Sequence, residues 1–345
     1  MKLIKVISKS IEKQLSKLFN CCIKTGKYPK ILKISRILPF LKKKNYLSID
    51  GYRPIHILSP ISKILEKLFS NQVSLHLKSQ NMFVNNHQGG IKLRGTNLAN
   101  IGINTKINFL LDKKRTVALV SLDQTKCYDI IPHNILLLKL QHLGLDMNAI
   151  TIMKNYLNDR KQYVFINGNS SNILCSPDCS IIQGSIMASL FYTVYSADLP
   201  FITHEMTHQN HSEDSNCDRT NITCYIDDVY GVIHGDKDNI WKKISIFIKI
   251  LEEYYINNYL KINAPKTQIL ITDHRNMTVN GSITIQDIII KNSSEVKILG
   301  IIYSQYNNWN AYVKNGTNSL INQLKRRVSA LRRISRYFNS VQLKK

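Results

Sequence analysis

The apolar and polar positions of this chain change period several times, and each change predicts an element. Ile11, Leu15, Leu18, Phe19 and Cys22 recur at helical spacing and leave Lys9, Lys13 and Lys17 to water, which predicts an amphipathic helix. After Gly26 and Pro29, the segment ILKISRILPFL reads as a strand that ends in Lys42, Lys43 and Lys44. The next stretch is extended through Pro54 and Pro60 and then turns amphipathic and helical. Residues 116–123, TVALVSLD, alternate as a strand does. Asp129 precedes a helix running from near Pro132 to Gly144. In ITCYIDDVYGVIH two short apolar runs flank a turn-like Asp-Asp, the pattern of a β-hairpin. Residues 201–222 are polar without periodicity and read as a loop. Near the C-terminus Ile321, Leu324, Val328, Leu331 and Ile334 form one helical stripe among arginines.

Composition narrows the class. A chain of 345 residues with 43% hydrophobic positions can bury the cores of two or three connected lobes. Its 47 Lys and Arg against 23 Asp and Glu leave a net charge of +24, a field that repels itself unless it faces a polyanion. Both ends carry the excess: Glu12 is the only acid in residues 1–44, and residues 325–345 contain none. An AT-rich coding sequence accounts for Lys over Arg, but not for the missing acids. Membrane binding through the basic N-terminal helix is the weaker reading. The seven cysteines lack a repeating spacing and read as free thiols of a reducing compartment. MKLIKVISKS has neither the run nor the cleavage site of a signal peptide, and no uncharged apolar run is long enough to span a bilayer. Nucleus or cytoplasm is the expected workplace.

Three carboxylates stand out. Asp123 ends a strand expected to be buried, and Asp227 and Asp228 share a hairpin tip between apolar strands. Crowding carboxylates there is unfavourable by several kcal/mol unless cations neutralise them. Divalent metals on carboxylate oxygens do so, and a pair of them can clamp both oxygens of a phosphoryl transfer. Singly, each position could equally cap or decorate a turn.

The residues around them resemble a known family. SLDQTKCYDIIPHNILLLKL looks like motif A of reverse transcriptases, SIIQGSIMASLFYTVYSADLP is similar to motif B, and CYIDDVYG matches motif C, the Tyr-X-Asp-Asp box. LKINAPKTQIL and VKILGIIYS resemble motifs D and E, while YRPIHILSPISKILEKL and HQGGIKLRGTNLAN resemble the finger motif and the Gly-rich segment upstream. Seven motifs in order cover about residues 29 to 335. Pro132-His133 after Asp129, YLNDRKQYVFINGNSS and Ala-Asp-Leu-Pro at 197–200 resemble the non-LTR (LINE-type) retrotransposon branch. Departures are Ile182 where Pro is common, Ile226 in place of a small Ala, and Ala188-Ser189 where a Pro-containing pair is frequent.

The resemblance implies an α+β right-hand polymerase fold with fingers, an antiparallel-sheet palm and a partial helical thumb. It divides the chain into an N-terminal extension and fingers (1–115), a palm (116–300, with finger elements around 130–180), and the start of a thumb cut short at Lys345 (301–345). It implies an RNA-directed DNA polymerase that adds dNTPs to a primer 3′ end. Asp123, Asp227 and Asp228 would hold two Mg²⁺ ions, with Mn²⁺ as a substitute, and Lys266 would protonate the leaving pyrophosphate. Lys42 and Arg53 would contact the triphosphate, Tyr128 would exclude a 2′-hydroxyl, and Gln183 and Gly184 would line the nucleotide site. Taken alone, Lys42 and Lys266 read as surface lysines, Tyr128 as a core aromatic and Gln183-Gly184 as a simple turn. Lys325, Arg326, Arg327, Arg332 and Arg333 would grip the duplex phosphates. The implied partners are an RNA template, a DNA primer or target and an endonuclease domain that this chain lacks.

Competing readings are a group II intron relative, which would carry a maturase segment, and a domesticated relative that only binds RNA. His204, His208, His211, Cys217 and Cys224 suggest zinc, but their spacing fits no common finger. No Gly-x-x-x-x-Gly-Lys loop or Gly-x-Ser-x-Gly elbow supports an ATPase or serine hydrolase.

Overall fold

The computed structural model describes residues 2–42, 48–80, 82, 86–202, 222–314 and 319–335. Most of the polar segment 201–222, with His204, His208, His211 and Cys217, lies outside them, as do Lys43 and Lys44. In chain order the helices are α1 (Lys2–Thr25), α2 (Pro60–Ser79), α3 (Thr96–Asp112), α4 (His133–His142), α5 (Met147–Leu157), α6 (Met187–Tyr195), α7 (Ile240–Asn257), α8 (Asn310–Val313) and α9 (Leu320–Ser335). The strands are β1 (Ile34–Leu41), β2 (Tyr52–Ile57), β3 (Thr116–Leu122), β4 (Lys161–Ile166), β5 (Asn169–Ser170), β6 (Leu174–Cys175), β7 (Ile222–Tyr225), β8 (Asp228–Gly235), β9 (Gln268–Thr272), β10 (Ser282–Ile285), β11 (Ile288–Lys291), β12 (Glu295–Ile298) and β13 (Ile301–Ser304).

The central sheet is antiparallel throughout, in the order β7-β8-β3-β9. TVALVSL does alternate, but between two apolar faces rather than between core and water. Ala118, Val120 and Leu122 join the core that includes Ile244, Phe247 and Leu251 of α7. Val117 and Leu119 face a second core with Ile103, Ile107 and Leu110 of α3, and Val296, Ile298 and Tyr303 of the β12–β13 hairpin. A strand covered on both sides needs apolar residues at every position, and burying each large one stabilises the fold by about 1.5–3 kcal/mol.

A second sheet has the order β2-β1-β4-β5, with β6 also on β4. β1 pairs antiparallel with β2 over Arg36–Leu41 but parallel with β4 only over Ile34–Ile37. Beyond that β1 has one free edge, which is why Pro39 and Pro54 can sit opposite each other without losing ladder bonds. The hairpin therefore projects past the sheet, carrying Arg53 opposite Phe40, and Lys42 donates its backbone N–H to Gly51.

α6 buries eight of its nine residues, Met187–Tyr195 apart from Ser189, and joins the larger core, packed against α2 and α4. α1 covers the outside through Phe19 and Cys22, while Leu18 remains 39% exposed. The α9 stripe forms as expected, yet Leu324, Leu331 and Ile334 are half exposed or more. The six described cysteines are free thiols. No helix among the described residues is long and apolar enough to cross a membrane.

Buried His87 gives the fold an acid sensitivity. Its Nε2 lies 3.0 Å from the Ser196 carbonyl, so that nitrogen carries the proton of a neutral ring. Burial pushes its pKa down to about 4 from an ordinary 6.5, against the smaller opposing effect of the Ser196 bond. The unfolded chain then binds the extra proton first, so stability falls as pH drops from 6.5 and the loss is complete below about 4. We expect on the order of 3 kcal/mol across that window from this group. Denaturant titrations of wild type and His87→Gln at pH 7 and 4.5 check it, the variant showing the flatter profile.

Candidate active site

Asp123 is the first residue past the buried β3, and the β7–β8 hairpin turns tightly at Ile226 and Asp227, closed by the pair Tyr225–Asp228. The register pairs Leu122 with Val229, so one further step brings Asp123 opposite Asp228. β3 and the β7–β8 hairpin thus deliver all three carboxylates to one end of the sheet.

Each carboxylate has its own surroundings. Asp123 Oδ2 accepts from Lys266 Nζ at 2.5 Å and Asn263 Nδ2 at 2.8 Å, and the Asp123 carbonyl accepts the Asn263 N–H at 2.9 Å. Both partners come from the short turn before β9. Burial raises the Asp227 carboxyl above the usual range; Asp123 raises it further, while the Cys127 thiol and the Arg53 guanidinium oppose the shift. Asp228 is pushed up to about 6, first by burial, then by Asp227, against a hydrogen bond from the Tyr230 hydroxyl. Carboxylates that raise one another's proton affinity gain most from added positive charge, and an all-oxygen donor set suits a hard divalent cation such as Mg²⁺. Among the described residues no group of three or more His, Cys, Asp or Glu side chains is arranged to hold a metal ion as it stands. The site fits a divalent cation in charge and donor chemistry.

The turn itself depends on a neighbour. Ile226 has φ +55°, a conformation that a β-branched residue rarely adopts. Residues 86–88 run beside β7, exchanging backbone bonds with Cys224. At Gly89 an added Cβ would lie 2.5 Å from both the backbone nitrogen and Cγ1 of Ile226. We expect Gly89→Ala to displace the Asp227 turn, with a stability loss of about 1–3 kcal/mol. Adding Ile226→Ala removes the side-chain clash but not the backbone one, so the double variant should stay destabilised; denaturant midpoints of the three proteins decide.

The other expected residues divide into two groups. Half-buried Tyr128 stacks near Tyr192 with ring centroids 5.5 Å apart, and its hydroxyl is raised by burial and by Asp227. Gln183 donates its amide to Asp129 Oδ1 at 3.0 Å, and its carbonyl accepts the His56 N–H at 2.9 Å. Gly184, at φ +106°, lies against the His56 carbonyl. Backbone bonds Ile181 N–H to Tyr128 and Ser180 N–H to Ile131 tie these two segments together. Arg53 is exposed on β2 and reaches Asp227 electrostatically, whereas Lys42 is exposed at the end of β1. Lys325, Arg326, Arg327, Arg332 and Arg333 are exposed on α9, an element apart from the carboxylates.

Sequence reasoning missed several groups. Asn263 holds Asp123 by both main chain and side chain, and its only signal was a position three before Lys266. Cys127 beside Asp227, and Tyr230 beside Asp228, oppose the rise of these carboxyl pKa values. In Ala-Asp-Leu-Pro, Asp198 pairs with Lys139 at 2.9 Å and accepts from Tyr254 at 2.7 Å, a structural role.

The chain can now be set beside known proteins. Residues 41–303 match the family described as reverse transcriptase (RNA-dependent DNA polymerase). A probable RNA-directed DNA polymerase from transposon BS of Drosophila melanogaster is 26% identical, over 83% of this chain and 31% of that protein. The RNA-directed DNA polymerase from mobile element jockey of the same species is 25% identical, over 87% of this chain and 32% of its own length. The chain thus spans about a third of the curated relatives it matches. Among solved structures, apo telomerase from Candida tropicalis superposes with a TM-score of 0.55 at 13% identity, covering 86% of this chain and 52% of that one. That likeness speaks for the right-hand polymerase fold. An antiparallel sheet that brings three acidic residues together at one end, in a chain so matched, leads to one conclusion: this chain belongs to the reverse transcriptase family.

Proposed function

We propose that this chain catalyses RNA-templated addition of deoxynucleotides to a primer 3′ end. The observation that carries the reading is the meeting of Asp123, Asp227 and Asp228 at one sheet end, with Lys266 on Asp123. Asp123, Asp227 and Asp228 would hold two Mg²⁺ ions, or Mn²⁺ in their place. Such ions would supply Lewis-acid chemistry at the triphosphate and the primer hydroxyl.

The protein's own groups do the rest. Asn263 fixes the orientation of Asp123, so that the carboxylate is not free to rotate away. Lys266, already beside Asp123, is placed to give a proton to the departing pyrophosphate oxygen. Arg53, and Lys42 at the end of β1, would contact the triphosphate. Tyr128 meets the sugar face and excludes a 2′-hydroxyl, while Gln183 and Gly184 form the adjoining wall. The exposed cations of α9 contact duplex phosphates. The RNA template and a DNA primer or target are the macromolecular partners, in the nucleus or cytoplasm, with a nicking endonuclease supplied from outside these residues.

The test is incorporation of dTTP on poly(rA)/oligo(dT) by the purified chain with Mg²⁺. Incorporation that stops with EDTA and is not matched by UTP supports the proposal. Firm, salt-sensitive RNA binding without any incorporation would instead make the chain an RNA-binding relative.

A further inference from the structure

Glu66 is wholly buried in the middle of α2. Its Oε1 accepts from the Tyr156 hydroxyl at 2.9 Å and from Ser62 Oγ at 3.4 Å. Its Oε2 accepts from Ser185 Oγ at 3.1 Å and from the Ile186 backbone N–H at 3.0 Å. All four donors are neutral and buried with it, so removing the carboxylate alone leaves them without that acceptor and lowers stability as well. What the carboxylate holds is more informative. Ile186 is the N-cap position of α6 and supplies no side-chain cap of its own. Glu66 therefore caps α6 from another element, where negative charge is favoured by the helix dipole. Ser185 completes the cap by accepting the Met187 N–H at 3.0 Å.

The turn that this cap anchors is Gln183-Gly184-Ser185. It also contacts β2, through His56, Asp129, through the Gln183 amide, and Tyr156, whose hydroxyl lies 2.9 Å from Ser185 Oγ. We propose that Glu66 is a positioning residue for the incoming nucleotide: it locks the 183–185 turn so that Gln183 stays in line with Tyr128. This rests on the reading of Gln183 and Gly184 as part of the nucleotide site.

The role predicts a separation of effects. Glu66→Met keeps the volume and removes every acceptor, so the turn loses its anchor while the apolar surroundings stay filled. Glu66→Gln can present its carbonyl oxygen to Ser185 and Ile186 and its amide to the Tyr156 and Ser62 hydroxyls, which can rotate to accept. We expect Glu66→Met to raise KM for dTTP about 10-fold on poly(rA)/oligo(dT) while kcat changes less than about 3-fold. Glu66→Gln should restore KM to within about 3-fold of wild type. A parallel binding assay uses a dideoxy-terminated primer and scores the dTTP concentration needed for a salt-resistant ternary complex, which requires no chemistry. It should show the same order.

Gln183→Ala separates this inference from the reading beneath it. If Gln183→Ala raises KM and the ternary-complex concentration but folded Glu66→Met does neither, Glu66 is only structural and the proposal fails alone. If Gln183→Ala changes neither, or the wild-type complex takes no dTTP, the nucleotide-site reading fails and the proposal with it. A Glu66→Met that lowers kcat at unchanged KM, or a Glu66→Gln as impaired as Glu66→Met, also overturns it.

Discussion

Asp227→Ala is expected to abolish primer extension, lowering the rate at least ~10³-fold, while RNA affinity stays within about 2-fold of wild type. The asymmetry follows from where the residue sits. Asp227 is at the turn between β7 and β8, and its raised pKa records that burial and Asp123 work against its charge. The sign is that of a destabilising group: at neutral pH the folded state holds an unfavourable carboxylate that the unfolded state hydrates freely. Removing it should leave thermal stability equal or higher, so lost activity cannot be ascribed to lost folding. RNA affinity should persist because the exposed cations of α1, the β1–β2 hairpin and α9 are untouched. Extension kinetics, a melting curve and a filter-binding titration on one preparation check all three. A variant that extends at a rate near wild type would remove Asp227 from the site.

Gly184→Ala should have the second-largest effect. At φ +106° an alanine is strained wherever it sits, and here its Cβ would also lie 2.6 Å from the His56 carbonyl oxygen. That neighbour is backbone of β2 and cannot rotate away, so the turn and the hairpin must separate. We expect a stability loss of about 2–4 kcal/mol and an extension rate lowered at least ~10²-fold. Gly168→Ala supplies the control. Its φ is +85° with no atom within 4 Å of the added Cβ, so it should lose only about 1 kcal/mol and keep full activity. Denaturant midpoints and extension rates for the two variants make the comparison. Equal behaviour would show that the contact with His56 does not matter.

Local features of the site were legible in the sequence, and long-range ones were not. The strand ending at Asp123 and the Asp-Asp hairpin announce themselves through short apolar runs, which reflect contacts made within a few residues. Glu66 had no such signal: its partners Ser185 and Ile186 lie 119 and 120 positions away, so nothing in the local period marks it. The hold of Asn263 on Asp123, across 140 positions, was hidden for the same reason. TVALVSL showed that a strand forms but not that two cores flank it, because polarity reports burial and not which neighbour buries. The α9 stripe makes the converse point. Periodicity gave the helix correctly and is silent on what its apolar face meets. The parallel pairing of β1 with β4 likewise follows from how α4 and α5 return the chain, not from either strand's own residues.

The most direct test of the account is to sequence the product made on a defined heteropolymeric RNA with an annealed DNA primer, four dNTPs and Mg²⁺, with Asp123→Ala alongside. The account predicts a DNA strand complementary to the RNA from the wild-type chain and an unextended primer from the variant. Faithful extension by both proteins, or extension by neither alongside tight RNA binding, would contradict it.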